Sequence, residues 1–184
     1  ADLLGAEIRS ADQDARDVLA PGTPALSRVF AEFPGVELPK GELNRAALGN
    51  LIFSDPEAKA RLEAITHPEI ISRIRSVVAE ARKSPQQGVF CYEIPLLFER
   101  GLESLFDKTI ALVTSPGLQT ERLQKREADA GRPPLSEDAI QERLQSQFST
   151  AEKARRADYI LRTDTTLEET RRQVQALWET LHRP

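Results

Sequence analysis

Short apolar runs that stop at polar residues predict four strands in this chain. The clearest is Val89–Tyr92, which follows Gly88 and ends at the carboxylate of Glu93, with Pro95 preventing further sheet pairing. If the sheet is parallel, Glu93 lies at the edge where ligands bind; a solvated edge strand is the alternative. The other strands are expected at residues 6–9, 108–113 and 157–162.

Apolar positions elsewhere recur at helical spacing. Pro56 and Pro68 each follow a candidate capping residue, which predicts that two separate helices begin there. No strand is expected between residues 13 and 87, so this region is either a helical subdomain or a long crossover. Helices are predicted at residues 12–20, 24–33, 43–53, 56–65, 68–83, 115–130, 151–156 and 166–182. A further helix that carries Arg143 is predicted to begin at 136–138, and residues 1–5 are predicted to end another.

Composition narrows the class of protein. The chain has 184 residues, 40% of them hydrophobic and 29% charged, with a formal net charge of -4, so one α/β domain without a nucleic-acid partner is expected. The lone Cys91 is expected to be a small buried residue in a reducing compartment. No run of about 18 apolar residues occurs, which predicts a cytoplasmic protein with no membrane partner.

Strands separated by helices predict a parallel sheet with right-handed crossovers. Residues 10–16 and Glu93 would then follow two strands, and a helical pair rich in Arg and Lys would lie between the last two. Carboxylates can accept a hydroxyl proton or hold hydrated Mg²⁺, and arginines can neutralise a transferring phosphoryl group. This combination indicates phosphoryl transfer, although no Gly-x-x-x-x-Gly-Lys-Ser/Thr phosphate loop occurs in the chain.

An ordered set of motifs covering essentially the whole chain resembles the dephospho-CoA kinase family. Each motif alone is weak, whereas their order and spacing together are highly specific. The motifs are Ala11-Asp12-x-x-Ala15-Arg16 with Pro21-Gly22, Gly41-x-Leu43-x-Arg45-x-x-Leu48, Ile52-Phe53-x-x-Pro56-Glu57, Ile65-x-His67-Pro68-x-Ile70, Ile94-Pro95-Leu96-Leu97-Phe98-Glu99, and Arg126…Arg143-x-x-x-Gln147…Glu152-Lys153-x-x-x-Ala157-Asp158.

The resemblance implies one α/β domain over residues 1–184. This would be a three-layer α/β/α P-loop kinase core with a parallel sheet, a mainly helical substrate subdomain at 13–87 and a small helical lid at 126–156. It further implies ATP-dependent phosphorylation of the ribose 3′-hydroxyl of dephospho-CoA, which gives CoA and ADP with Mg²⁺ in the last step of CoA biosynthesis. The expected partners are therefore dephospho-CoA and ATP.

The resemblance also implies roles for individual residues. Asp12 would be the base or would orient the hydroxyl; an N-cap of a helix starting at Gln13 is the alternative. Arg16 would bind substrate phosphate, unless it only pairs with Asp12, and His67 would contact substrate, unless it only caps a helix. Glu93 would bind substrate or water around Mg²⁺, and Arg45 would bind substrate, unless it only holds the helical subdomain together. Some of the lid cations would lie on solvated faces. The full set is Asp12 and Arg143 as catalytic, Arg16, Arg45, His67 and Glu93 as substrate-binding, and Arg126, Lys153 and Arg156 as nucleotide- or phosphate-binding, with no metal ligand assigned.

Three departures from the family pattern bear on function. The family has a strand and P-loop, on the order of 20 to 30 residues, before the position of Ala1, and this chain contains no Met. We therefore expect the first central strand to be absent and residues 1–184 alone to be inactive. If the fold holds, we expect either a gap between residues 6–9 and 109–113 or poor stability. Ser10 stands where the family usually has Asp, and residues 162–164 replace the usual Asn- and Gly-containing turn that the family uses near adenine. A non-catalytic form that binds dephospho-CoA or a partner, or a related nucleotide or nucleoside kinase, is the alternative.

Overall fold

The computed structural model describes residues 5–83 and 88–181. The chain divides into two compact units, residues 1–95 and 96–184. The helix end predicted at residues 1–4 and the predicted helix terminus His182 lie outside the described residues. None of the described helices is long and apolar enough to cross a membrane.

The first unit combines one parallel strand pair with a group of helices. β1 (Glu7–Ser10) pairs with β4 (Phe90–Glu93) in parallel, and Ser10 lies opposite Glu93 at the end of both strands. Two of these helices begin at residues whose side chains satisfy exposed backbone N–H groups: the Thr23 hydroxyl accepts from Leu26, and the Asn44 side chain accepts from Ala47. The elements are β1 (Glu7–Ser10), α1 (Ala11–Val18), α2 (Pro24–Glu32), β2 (Glu37–Leu38), β3 (Glu42–Leu43), α3 (Arg45–Ser54), α4 (Pro56–Lys83) and β4 (Phe90–Glu93).

The core of this unit lies among α2, α3 and α4. Val29 and Phe33 are one helical turn apart and both are buried, as are Leu48 on α3 and Ala58 on α4. Burial of apolar surface at this spacing is what holds short helices together in water. The mainly helical character predicted for residues 13–87 therefore rests on a real hydrophobic cluster.

A short antiparallel hairpin interrupts that helical region, so the prediction of no strand between residues 13 and 87 was wrong. Glu37 pairs with Leu43, and Leu38 pairs with Glu42. The turn closes with a 3.1 Å hydrogen bond from the Gly41 N–H to the Leu38 carbonyl. Lys40 has a φ of 78°, a backbone conformation that residues other than glycine seldom adopt. The residue types therefore did not predict this turn.

α4 is one helix of 28 residues, which corrects the prediction that a second helix begins near Pro68. Pro68 lies inside the helix, where it removes one backbone donor. Thr66 does not cap a new helix, because its hydroxyl donates to the Leu62 carbonyl of the same helix at 2.9 Å. The helix continues through Pro68 because residues on both sides pack into the unit, with Ala58, Ile74 and Val78 buried.

β4 is half-buried, although its apolar run predicted a buried strand. Residues 89–92 all keep intermediate exposure, including Cys91, which is a free thiol. Partial burial raises the pKa of the Cys91 thiol, so the neutral form is favoured there.

The second unit also contains one parallel strand pair. β5 (Ile110–Val113) pairs with β6 (Tyr159–Arg162), with Ile110 opposite Tyr159 and Val113 opposite Arg162. The Asp158 carboxylate accepts hydrogen bonds of 2.8 Å from both the hydroxyl and the N–H of Thr109, which fixes the start of this pair. The elements are a 3₁₀ turn (Glu103–Leu105), β5 (Ile110–Val113), α5 (Pro116–Asp129), α6 (Glu137–Gln145), α7 (Thr150–Arg156), β6 (Tyr159–Arg162) and α8 (Leu167–Leu181).

The four predicted strands are therefore present, and they form two parallel pairs, β1 with β4 and β5 with β6. The expected gap between residues 6–9 and 109–113 concerns the relation between the two units and stays a prediction.

Candidate active site

Asp12 lies at the start of α1, directly after β1. The helix begins at Ala11 and Ser10 occupies the N-cap position, so Asp12 is not the cap of a helix starting at Gln13. The Asp12 side chain is exposed, and within the described residues it has neither an ion pair nor a side-chain hydrogen bond. A carboxylate placed in this way after a parallel strand is available to accept a proton from a ligand.

Arg16 and Arg45, both predicted to bind substrate, lie together. The Arg45 guanidinium donates to the Arg16 carbonyl at 3.4 Å. They line a depression of about 320 Å³ whose other walls come from the end of α1 and from the unpredicted hairpin. Arg16 forms no ion pair with Asp12 in the described part of the chain, so its guanidinium is not neutralised by that residue. The lining residues are Arg16, Leu19, Ala20, Pro21, Glu42, Leu43 and Arg45.

A buried carboxylate that the sequence did not single out anchors α1. The Asp14 side chain is 6% exposed and accepts a 2.7 Å hydrogen bond from Arg73 Nε on α4. The Tyr92 hydroxyl on β4 donates to the other Asp14 oxygen, while Arg73 Nη2 reaches Asp17 at 2.8 Å. The hydrogen bond and charge of Asp14 raise the pKa of Arg73. This network ties α1 to both α4 and β4 and so holds the helix that carries Asp12 and Arg16.

Glu93 and His67 occupy different parts of the first unit. Glu93 is exposed at the carboxyl end of β4, opposite Ser10. His67 is half-buried within α4, where its Nδ1 lies 3.8 Å from Glu63 Oε2. Glu93 is therefore at the strand end where it was predicted, whereas His67 lies in the middle of a helix rather than at its start.

In the second unit, Arg143 binds a buried carboxylate. Glu127, near the end of α5, is 4% exposed at its side chain. Arg132 Nε donates to Glu127 Oε2 at 2.5 Å, and Arg143 Nη1 donates to Oε1 at 2.9 Å. Arg132 and then Arg143 lower the pKa of Glu127 to about 2, against the opposing effect of burial. Arg126, predicted to bind phosphate, is exposed, and its side chain forms no hydrogen bond or ion pair with another described residue.

Lys153 and Arg156 are also held by acidic side chains. Lys153 Nζ lies 3.1 Å from Glu99 Oε1, which accepts a 2.8 Å hydrogen bond from the Phe148 N–H. Burial alone would raise the pKa of Glu99, but the Phe148 N–H and the Lys153 ammonium bring it below its ordinary value. Arg156 Nε contacts Glu152 at 2.8 Å, and the Arg156 guanidinium lies 4.7 Å from the centre of the Phe148 ring.

A second depression, of about 340 Å³, lies at the carboxyl ends of β5 and β6. Open parallel sheets bind ligands at this edge. Its lining includes part of the turn at residues 162–164, where the sequence departs from the family pattern. The lining residues are Val113, Thr114, Ser115, Thr150, Ala151, Ala154, Ile160, Arg162 and Asp164.

Comparison with other proteins decides the family. A sequence model of the dephospho-CoA kinase family matches residues 1–169. The chain belongs to this family. The dephospho-CoA kinase of Moorella thermoacetica is 36% identical over 181 residues, covering 98% of this chain and 82% of that protein. The dephospho-CoA kinase of Syntrophotalea carbinolica is 39% identical over 175 residues, covering 95% of this chain and 80% of that protein.

Solved structures agree with the family. The dephospho-CoA kinase from Campylobacter jejuni superposes with a TM-score of 0.69 at 29% identity, covering 98% of this chain and 89% of that chain. A Thermus thermophilus protein gives a TM-score of 0.71 at 28% identity, covering 99% of this chain and 88% of that chain. The predicted family and the α/β P-loop kinase fold class are confirmed.

The oxygen donors of the site fit a hydrated magnesium ion. Among residues 5–83 and 88–181, no group of three or more His, Cys, Asp or Glu side chains is placed to hold a metal by itself. Mg²⁺ in kinase sites usually keeps several waters and binds through one or two carboxylates together with substrate phosphates. The Ser10 hydroxyl and the Glu93 carboxylate are hard oxygen donors at the same strand edge and suit that mode of binding.

Proposed function

We propose that this protein transfers the γ-phosphoryl group of ATP to the ribose 3′-hydroxyl of dephospho-CoA, producing CoA and ADP in the last step of CoA biosynthesis. The observation that carries the proposal is the family match over residues 1–169. In the reaction, the 3′-oxygen bonds to the γ-phosphorus, the bond to the β–γ bridging oxygen breaks, and ADP leaves.

Asp12 accepts the proton of the 3′-hydroxyl and orients that hydroxyl for in-line attack. Its exposure and its position after β1 support this role. Arg16 and Arg45 bind anionic groups of dephospho-CoA from the depression that they line, and the Asp14 network keeps α1 in place. His67 binds the substrate from α4.

Arg143 neutralises charge on the transferring phosphoryl group. Its exposed fraction of 41% leaves part of the guanidinium accessible while Glu127 holds the rest. Arg126, Lys153 and Arg156 bind the phosphates of ATP. On binding, Lys153 and Arg156 each either leave their present carboxylate partner or contact that carboxylate and a phosphate together. Glu93 and Ser10 would hold water ligands of a Mg²⁺ ion, which would supply positive charge to offset the ATP phosphates. A cytoplasmic location stays a prediction.

A substrate comparison tests this assignment. Residues 1–184 and a version extended upstream by a family-type strand and P-loop are each supplied with ATP, Mg²⁺ and one acceptor: dephospho-CoA, adenylate, cytidylate or thymidylate. We expect transfer to dephospho-CoA by the extended version alone. Preference for a nucleoside monophosphate would indicate a related kinase. Binding of dephospho-CoA without transfer by either version would favour a non-catalytic form, and robust activity of residues 1–184 would contradict the expected need for the upstream segment.

A further inference from the structure

We propose that Arg132 is a second phosphate-binding arginine of the lid region, and that Glu127 is a positioning residue that holds Arg132 beside Arg143. This inference rests on the proposed function, in which Arg143 contacts a phosphoryl group. It adds to that function a residue pair outside the motifs, and it distinguishes Arg132 from the nearby Arg126.

The contacts leave both guanidinium groups available to a ligand. Arg132 uses Nε and Arg143 uses Nη1 to bind the two oxygens of the Glu127 carboxylate. The side chains of Arg132 and Arg143 remain 55% and 41% exposed, whereas Glu127 is 4% exposed. Two arginines thus share one buried acceptor and present their remaining N–H groups at the surface, where a phosphate can bridge them.

The charge balance favours an anionic ligand. Two guanidinium groups and one carboxylate leave one net positive charge in the cluster. Because the depressed pKa of Glu127 keeps that carboxylate ionised at neutral pH, the arrangement persists under ordinary conditions. A ligand with several phosphate oxygens would complete the hydrogen bonding of both arginines without displacing Glu127.

The backbone fixes Arg132 in place. Gly131, with a φ of 66°, ends α5, and the Arg132 N–H donates to the Glu127 carbonyl at 2.9 Å. Pro133 restricts the Arg132 backbone to extended conformations. Arg132 is therefore held by its backbone and by its side chain, so less conformational entropy is lost when it binds a phosphate.

Arg126 provides a matched comparison. It lies six positions before Arg132 and is exposed, but its side chain has no ion pair within the described residues. Its long side chain must lose conformational entropy when it binds a phosphate, which costs free energy. Arg132 pays little of this cost on binding, because its side chain is already ordered. We expect phosphate affinity to depend on Arg132 much more than on Arg126.

The test uses inorganic tripolyphosphate and residues 1–184, with affinity measured by isothermal titration calorimetry. Arg132→Gln should weaken binding by about tenfold and Arg126→Gln by less. Arg171→Gln, at an exposed arginine of α8 that has no assigned role, is the charge-matched control and should change binding by less than about twofold. Glu127→Gln should weaken binding several-fold although it makes the protein more positive, because the amide NH₂ that replaces one carboxylate oxygen donates and cannot accept from the arginine bound there. If net charge alone determined affinity, Glu127→Gln would bind tripolyphosphate more tightly than the parent protein does.

Equal effects of Arg132→Gln and Arg171→Gln, tighter binding by Glu127→Gln, or no saturable binding by the parent protein would each overturn the proposal. Loss of urea stability in Arg132→Gln without loss of affinity would show a purely structural cluster. If Glu127→Gln does not fold, the two arginine variants carry the test, since both side chains are exposed. The probe requires neither dephospho-CoA nor transfer, so failure of the proposed reaction is recognised separately.

Discussion

In the described part of each unit, one buried carboxylate holds arginine side chains, and the two networks differ in their balance of charge. In the first unit, Asp14 binds Arg73, and the same guanidinium also binds Asp17. Tyr92 donates to the remaining Asp14 oxygen. Two carboxylates therefore share one guanidinium, and little positive charge is left for an anionic ligand.

In the second unit the ratio is reversed, because Glu127 alone binds both Arg132 and Arg143. The surplus charge is positive and lies on partly exposed groups. A buried ion pair is therefore not by itself evidence of a binding site. A network can bind phosphate when its arginines outnumber its carboxylates and those arginines are partly exposed; otherwise it is structural.

The largest expected effect is on the rate of transfer, and it distinguishes Asp12 from Asp14, which lies two residues further along α1. Asp12→Asn in the extended version should lower kcat for transfer to dephospho-CoA by about 100-fold or more, because the hydroxyl loses its proton acceptor. The free energy of unfolding should change by less than about 0.5 kcal/mol, since Asp12 is exposed. Steady-state kinetics and urea unfolding measure the two quantities. A loss of stability with an unchanged rate would place Asp12 in the structural network instead.

The next effect tests whether the Asp14 network is structural. Asp14→Ala should lower the free energy of unfolding by about 2 kcal/mol, because it leaves the part-buried Tyr92 hydroxyl and Arg73 without their common partner. The value is moderate because Arg73 is 42% exposed and water replaces part of the interaction. Asp17→Ala, at a half-exposed carboxylate, is the control and should cost about 0.5 kcal/mol. Similar losses in the two variants would show that burial of Asp14 adds nothing.

The smallest effect is the pH dependence that Glu127 contributes. Its pKa in the folded protein is about 2, below the ordinary glutamate value of about 4.3. Because the folded value is depressed, the stabilisation is present above pH about 4.3 and is lost as the pH falls through about 2. Between these two pH values, unfolding of the parent protein should take up about one more proton than unfolding of Glu127→Gln. The number of protons is obtained from the slope of the unfolding free energy against pH. Glu142→Gln, an exposed site on α6, controls for loss of an acidic residue; an equal change in slope in both variants would contradict the assignment.

The sequence predicted much of the fold because its signals were local. The four strands were recognisable as short apolar runs, and most helices from their spacing and caps, such as Ser136, whose hydroxyl accepts from Ala139. The hairpin at residues 37–43 was missed because it depends on a positive φ at Lys40. The continuity of α4 was missed because tertiary packing outweighs the local effect of Pro68.

The candidate site was only partly predictable for a related reason. The motifs predict roles for Asp12, Arg16, Arg45 and Arg143. The structure brings Arg16 and Arg45 together, while the roles stay predictions. Asp14 could not be recognised, because its partners lie 59 and 78 positions away along the chain. Glu127 and Arg132 lie in a charged helix and turn that look like a solvated surface until the fold places Arg143 against them.

The central claim is that the ribose 3′-hydroxyl of dephospho-CoA receives the phosphoryl group. The most direct measurement is ³¹P NMR of the product formed by the extended version from dephospho-CoA, ATP and Mg²⁺. We predict one new phosphomonoester that coincides with the 3′-phosphate of added CoA, formed together with an equal amount of ADP. A phosphomonoester at another position, or ADP formed without a phosphorylated acceptor, would contradict the claim.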